Sequence, residues 1–217
     1  MSLEIHALIF DLDGVIADTN PMHHRSWTQL AQEEGIPFDE AIHVRMLGLN
    51  RRNSLEVFLN GRELSEAEKQ DWMARKNRYF LEQLESFSLE DAAPGVPALI
   101  HEARAAGIKV ALGSSSQNAR LVLKQLGLFD LFDAIGDGLT VTNTKPAPDI
   151  FLWSAGQVGA SPAHTVVFED SPAGITAGRA GGFWVVGIGG ELVQDAHLIV
   201  PSLAGVTLAT LSAKLGV

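Results

Sequence analysis

Ala7-Leu8-Ile9-Phe10 is an unbroken apolar run that stops at Asp11. A strand with no polar alternation is buried on both faces, which puts it inside a parallel sheet covered by helices. The carboxylate that ends it marks the C-terminal edge of that sheet, where open α/β sheets bind ligands. After Pro94-Gly95 the chain keeps to the same plan. Short apolar runs at Ile108 to Leu112, Thr165 to Phe168 and Trp184 to Ile188 alternate with helical segments at Val96 to Ala106, Asn118 to Leu126, Asp149 to Val158 and Pro172 to Ala180. Strand–helix alternation with short links predicts an α/β fold, a Rossmann-like parallel sheet with helices on both faces.

Between the first strand and this alternation the chain is helical in style. Asn20-Pro21 reads as an N-cap and first-turn pair, opening a helix through Glu34 that Gly35 ends. Ser65-Glu66-Ala67-Glu68 is a capping box. Trp72, Tyr79, Phe80 and Leu84 follow at helical spacing, a stripe for packing. We therefore expect an α/β core of residues 1–14 and 93–217, with a helical cap, 15–92, inserted after the first strand.

The chain has 217 residues, 26 acidic against 16 basic, a net charge of −10 and no cysteine. Disulfides, thiolate metal sites and cysteine nucleophiles are excluded, and a cytoplasmic location is expected. The acidic balance argues against nucleic acid as a partner. No apolar run approaches the ~18 residues of a membrane span. The opening residues, Met1 to His6, show no basic region followed by a cleavage pattern, so no signal peptide is expected. A monomer acting on a small molecule is the expected form.

Four clusters lie at predicted C-terminal strand ends. Asp11-Leu12-Asp13-Gly14 sets two carboxylates one residue apart, with a glycine that lets the chain turn. Such a tetrapeptide is often only a turn, but it also suits a nucleophile beside a proton donor or acceptor. Gly113-Ser114-Ser115-Ser116-Gln117-Asn118 offers hydroxyls and free N–H groups at a strand-to-helix link, suited to phosphate or simply to capping. Lys145, between Thr144 and Pro146, is a lone lysine that matters only if it points at the first two clusters. Glu169-Asp170 follows an apolar strand, with Ser171 placed to cap the next helix. Together with Asp11 and Asp13, these acids make an oxygen-rich set suited to Mg²⁺. Coincidence at four strand ends is less plausible than any one bland reading.

At these residues the sequence resembles the haloacid dehalogenase superfamily, phosphotransferases that work through an aspartyl-phosphate. Asp11 to Ile16 is similar to its first motif, Ser114 to its second, Lys145 to its third and Glu169-Asp170 to its fourth. The insert resembles the helical cap of the phosphoglucomutase-like branch. Within that branch the likeness to the β-phosphoglucomutases runs through Thr19, His23 and Trp27, through Leu47 to Arg51 with Ser54, and through Arg75-Lys76-Asn77. Two positions depart from it. Leu47 and Gln117 stand where that group often carries lysine.

The resemblance implies interconversion of β-D-glucose 1-phosphate and glucose 6-phosphate through glucose 1,6-bisphosphate, or else Mg²⁺-dependent hydrolysis of sugar phosphates on the same fold. It implies Asp11 as nucleophile and Asp13 as acid and base, with Ser114 and Lys145 stabilising the transferring group. Asp11, Asp13 through its backbone carbonyl, Asp170 and, less directly, Glu169 would hold Mg²⁺. The sugar phosphate would meet Asp13, His23, Gly48, Leu49, Arg51, Lys76, Ser115, Ser116, Gln117 and Asn118. Arg51, with Ser116 and Asn118, is expected to clamp a distal phosphate, while Arg52 is expected to be exposed helix charge. Trp27 is expected to be packing. Asp11 needs no base because a carboxylate is ionised at neutral pH. Asp13 must be protonated in one half-reaction, so its pKa is expected to rise when the cap shuts.

Overall fold

The computed structural model describes residues 4–216; Met1 to Leu3 and Val217, included in the expected core, lie outside them. Six strands make one sheet: β1 (Ala7–Phe10), β2 (Lys109–Gly113), β3 (Ala134–Gly136), β4 (Thr165–Glu169), β5 (Trp184–Ile188) and β6 (Leu198–Val200). Their order is β3-β2-β1-β4-β5-β6, and each pairing is parallel. The helices are α1 (Asn20–Glu34), α2 (Glu40–Val44), α3 (Arg51–Leu59), α4 (Glu66–Leu84), α5 (Val96–Ala105), α6 (Ala119–Gln125), α7 (Asp149–Gln157), α8 (Pro172–Ala180) and α9 (Leu208–Leu215).

The apolar run of β1 is wholly buried. Leu8 and Phe10 join one core cluster, with Leu112, Phe168, Leu99 and Ile100 of α5, Val122 of α6 and Leu211 of α9. Ile9 joins the other, with Val167, Phe151 of α7 and Ile175 of α8. Alternate residues of one strand thus feed two helical layers, as a doubly covered sheet requires. At ~1.5–3 kcal/mol for each large apolar side chain removed from water, Leu8, Ile9 and Phe10 favour this placement by ~5–9 kcal/mol before chain entropy.

The α1–α4 segment has a cluster of its own, with Trp27, Leu30, Leu55, Phe58, Trp72 and Tyr79. Phe80 and Leu84, at the end of α4, belong instead to the sheet's first cluster. Ser65 and Glu68 form the expected capping box. The expected cap of α1 is corrected: Thr19 is the N-cap residue, without a side-chain cap bond. Asn20 lies one residue further in, and its Nδ2 donates to Asp170 Oδ2 at 2.9 Å. The Asn20 side chain serves a tertiary acceptor and accepts no local N–H. The chain leaves and rejoins the sheet side by side: Ala17 pairs with Ala92, and the Ala93 N–H donates to the Ile16 carbonyl at 2.7 Å. No helix among the described residues is long and apolar enough to cross a membrane.

Candidate active site

The strand order turns at β1, with β2 on one side and β4 on the other. Such a switch point opens a crevice at the carboxyl ends of the strands. Asp11 stays in the ladder, its N–H on the Phe168 carbonyl at 3.0 Å. The chain then turns at Gly14, which has φ +78°. A Cβ there would lie 1.8 Å from Asp170 Oδ2, so glycine is what lets this carboxylate approach the backbone.

Lys145 is fully buried in the loop between β3 and α7. Its Nζ lies 2.5 Å from Asp11 Oδ1 and 2.5 Å from Glu169 Oε1. Glu169 Oε2 accepts from the Asp170 and Ser171 N–H groups at 3.0 Å and from Ser171 Oγ at 2.9 Å. Glu169 therefore ties the lysine to the start of α8, where Ser171 caps the helix as expected.

Asp11, Glu169 and Asp170 each bring an oxygen within 4.8 Å of the others. Asp13 adds no side-chain oxygen to this group. Burial pushes Asp11 up to about 7; Lys145 opposes this, while Glu169 and Asp13 add to it. Asp170 is raised well above the ordinary carboxylate range by burial, Glu169 and Asp11. Three acids cluster here and one ammonium pairs with two of them, so the simple expectation of an ionised Asp11 needs more positive charge than Lys145 supplies. An oxygen-only set short of cations fits a hard divalent ion.

Asp13 faces the cap. Thr19 Oγ1 donates to its Oδ1 in a short hydrogen bond, and His23 Nε2 lies 3.4 Å from the same oxygen. His23 stacks on Phe80 with centroids 4.4 Å apart, and its Nδ1 is 2.6 Å from Lys76 Nζ. Burial raises the Asp13 pKa, but His23, Thr19 and Lys76 outweigh it and hold the carboxyl below its ordinary value. The expectation that an apposed cap raises this pKa is therefore corrected. The cap excludes water, but it also brings His23 and Lys76.

Further out, Arg51 Nη2 and Asn118 Nδ2 both donate to Asn77 Oδ1, each at 2.8 Å. A residue of α4 thus joins α3 to the β2–α6 loop. Gly48, at φ +75°, sets the cap loop against α8, where a Cβ would meet Ser171 Oγ at 2.2 Å. Asn50 Nδ2 donates to Thr144 Oγ1 at 3.2 Å, beside Lys145.

One cavity between the core loops and the cap is lined by Asp11, Asp13, His23, Gly48, Leu49, Arg51, Lys76, Ser115, Ser116, Gln117 and Asn118. The sequence-predicted substrate residues thus come together. Asn20, Trp27, His43, Met46, Leu47 and Ser54 complete the wall. Trp27 packs in the cap core as expected, yet it also borders the cavity, with Lys76 Nζ 5.5 Å from its ring centre. Ser114 does not line the cavity; its Oγ accepts from the Ser116 N–H at 3.0 Å and shapes the loop. Arg52 is half-buried, its side chain 42% exposed, and pairs with Glu66 and Glu56. Asn20 and Asn77 were missed as site residues because nothing in their own neighbourhood announces a partner 150 or 41 residues away.

A family model described as haloacid dehalogenase-like hydrolase matches residues 5–182. The β-phosphoglucomutase of Bacillus subtilis (strain 168) is 40% identical over 210 residues, 94% of this chain and 93% of that protein. A phosphorylated carbohydrates phosphatase of Thermotoga maritima is 31% identical over 183 residues, 82% of each. The crystal structure of a β-phosphoglucomutase from Clostridium difficile superposes with a TM-score of 0.94 at 35% identity, covering 98% of this chain and 97% of that one. Acids at the switch point, a buried lysine between them and relatives alike from end to end agree: the chain is an enzyme of the haloacid dehalogenase-like hydrolase family.

Proposed function

We propose that this enzyme interconverts β-D-glucose 1-phosphate and glucose 6-phosphate through a phosphorylated Asp11 and glucose 1,6-bisphosphate. The core, residues 1–14 and 93–217, supplies the chemistry, and the cap, 15–92, supplies much of the sugar-phosphate site. The observation that carries this reading is the make-up of the cavity wall, which holds the carboxylates of Asp11 and Asp13 and also Arg51 with the neutral donors of Ser116 and Asn118. An enzyme that only hydrolyses a monophosphate has no need of a second anion site. A mutase must hold one phosphate of a bisphosphate while the other reacts.

An Asp11 oxygen attacks phosphorus as the bond from phosphorus to the sugar oxygen breaks, and the leaving oxygen takes a proton from Asp13. In the second half the sugar hydroxyl gives its proton back to Asp13 and attacks the phosphoryl group on Asp11. With its pKa held low, Asp13 stands as the carboxylate that accepts this proton, and the proton it lends to the leaving oxygen is the one it takes from the sugar hydroxyl in the other half. Lys145 holds Asp11 in line and stands ready for the charge on the transferring group. Ser114 serves by ordering the loop that carries Ser116 and Asn118. Asp11, Asp170, the Asp13 backbone carbonyl and, less directly, Glu169 would hold Mg²⁺, which neutralises phosphate charge when bound. Leu47 and Gln117 leave Arg51 as the nearest fixed cation for the distal phosphate, with Lys76 toward His23 and Asp13.

The test is product analysis with β-D-glucose 1-phosphate, Mg²⁺ and catalytic glucose 1,6-bisphosphate. Glucose 6-phosphate is expected. Free glucose and inorganic phosphate in its place would assign the enzyme to the phosphatases.

A further inference from the structure

Among the described residues, two buried side-chain polar atoms lack a hydrogen-bond partner: His23 Nε2 and His43 Nδ1. Both histidines line the cavity that holds Asp11. His23 has a place in the site, beside Asp13. His43 has none so far.

His43 lies on α2 and is 6% exposed. The His24 ring meets it edge-on at 4.8 Å, and Phe38 lies 6.3 Å away, also edge-on. Neither contact pairs Nδ1. A buried polar atom left unpaired destabilises the fold, and the two histidines that carry such atoms line the same cavity. Trp27, Met46 and Leu47 share that wall from the cap. Apolar groups of this kind suit the C–H faces of a sugar ring, whose hydroxyls need partners of their own.

We propose that His43 is a specificity-determining residue of this site, its imidazole making a hydrogen bond with one ring hydroxyl of the bound sugar. The inference rests on the sugar-phosphate reading above. The ring is neutral here, since burial and the neighbouring His24, His23 and Lys76 drive its pKa down to about 4 against the pull of Glu40. A neutral imidazole has one donor and one acceptor nitrogen. It therefore matches a hydroxyl better than a phosphate, which the Arg51 side of the cavity serves.

The experiment compares wild type with His43→Phe, which keeps the ring and its edge contacts but removes both nitrogens. Each is assayed on β-D-glucose 1-phosphate and on its 2-, 3- and 4-deoxy analogues, with melting temperatures recorded. We expect one deoxy position to cost wild type about tenfold in kcat/KM. The same deletion should cost His43→Phe almost nothing further, while the other positions affect both proteins alike. His43→Asn, which keeps a donor and an acceptor, should restore part of the discrimination. Equal losses at every position in both proteins would make His43 a packing residue and overturn the proposal. If wild type turns over no hexose phosphate at all, the sugar-phosphate reading fails first, a different and visible outcome. Should His43→Phe not fold, His43→Leu carries the same series.

Discussion

Replacing Lys76 by methionine should leave the protein more stable and less active. Lys76 is 3% exposed. Its hydrogen-bond partner is an imidazole, not a carboxylate. Burial and the Arg51 charge drive its pKa from 10.5 to about 7 against the pull of Asp13. At ~1.4 kcal/mol per tenfold change in proton affinity, holding this ammonium at neutral pH costs on the order of 5 kcal/mol. Its contacts with the Trp27 and Phe80 rings, at 5.5 and 5.2 Å, offset about 1–3 kcal/mol. The bond to His23 offsets about 1 kcal/mol more. Methionine lies against the same rings without a charge, so a net gain of ~2 kcal/mol is expected, or ~4–8 °C in Tm for a chain of this size. The pH dependence has a definite sign. The unfolded lysine is protonated below 10.5 and the folded one only below about 7. The wild-type penalty is therefore full below pH 7, shrinks as pH rises and is gone above 10.5. Melting of both proteins at pH 6, 8 and 10 should show the variant's advantage largest at pH 6 and nearly lost at pH 10. Sugar-phosphate turnover should fall, because Lys76 supports His23 over Asp13. A variant less stable at pH 6, or an advantage that ignores pH, would refute the reasoning.

Asp11→Asn should abolish turnover while circular dichroism stays native; phosphate still transferred to the protein would remove Asp11 as nucleophile. Exhaustive chelation should stop the reaction and Mg²⁺ restore it, and Asp170→Ala should raise the Mg²⁺ concentration needed at least tenfold; full activity in chelator would end the metal assignment. Gly48→Ala puts a Cβ 2.2 Å from Ser171 Oγ at a positive φ, so the cap loop must lift, and kcat/KM for sugar phosphate should fall about tenfold or more. Unchanged kinetics would mean the loop need not seat on α8. Arg51→Ala should cost isomerisation about a hundredfold, the ~3 kcal/mol of a charge-assisted contact in a closed site. Consumption of acetyl phosphate should fall much less; equal losses would place the distal clamp elsewhere.

Much of this molecule was legible from periodicity and spacing. The apolar runs of β1, β2, β4 and β5 stand out because their strands are covered on both faces. β3 and β6 escaped notice, since three-residue strands such as Ala134–Gly136 and Leu198–Val200 at the sheet's two edges are too short to show a period. The insert read as helical in style without its breaks; α2 and α3 are parted around Gly48, which lies against Ser171. Motif residues announced themselves through their chemistry. Their charge states did not: Asp13 is held ionised by groups from the cap, and Asp11 is raised by burial, with Glu169 of β4 and Asp13 adding to it. Asn77 counted only as part of the Arg75-Lys76-Asn77 likeness, with no role of its own, until Arg51 and Asn118 converged on it.

The pairing of Ala17 with Ala92 has a consequence for how such an enzyme can change over generations. The two ends of the insert are as close as the ends of a hairpin. The sheet therefore meets only a tight turn after β1, however many residues lie beyond it, and the loop-closure entropy belongs to the insert alone. Everything from 18 to 91 can lengthen, shorten or be exchanged as a block without altering a strand register. Two tethers side by side also resist twisting yet bend easily along the line between them, which leaves the insert one soft axis. Asp11 follows directly on β1, on the sheet's side of that axis, while Gly48, Arg51 and Lys76 belong to the insert. Natural selection can thus rewrite the choice of substrate on one side without disturbing the nucleophile on the other.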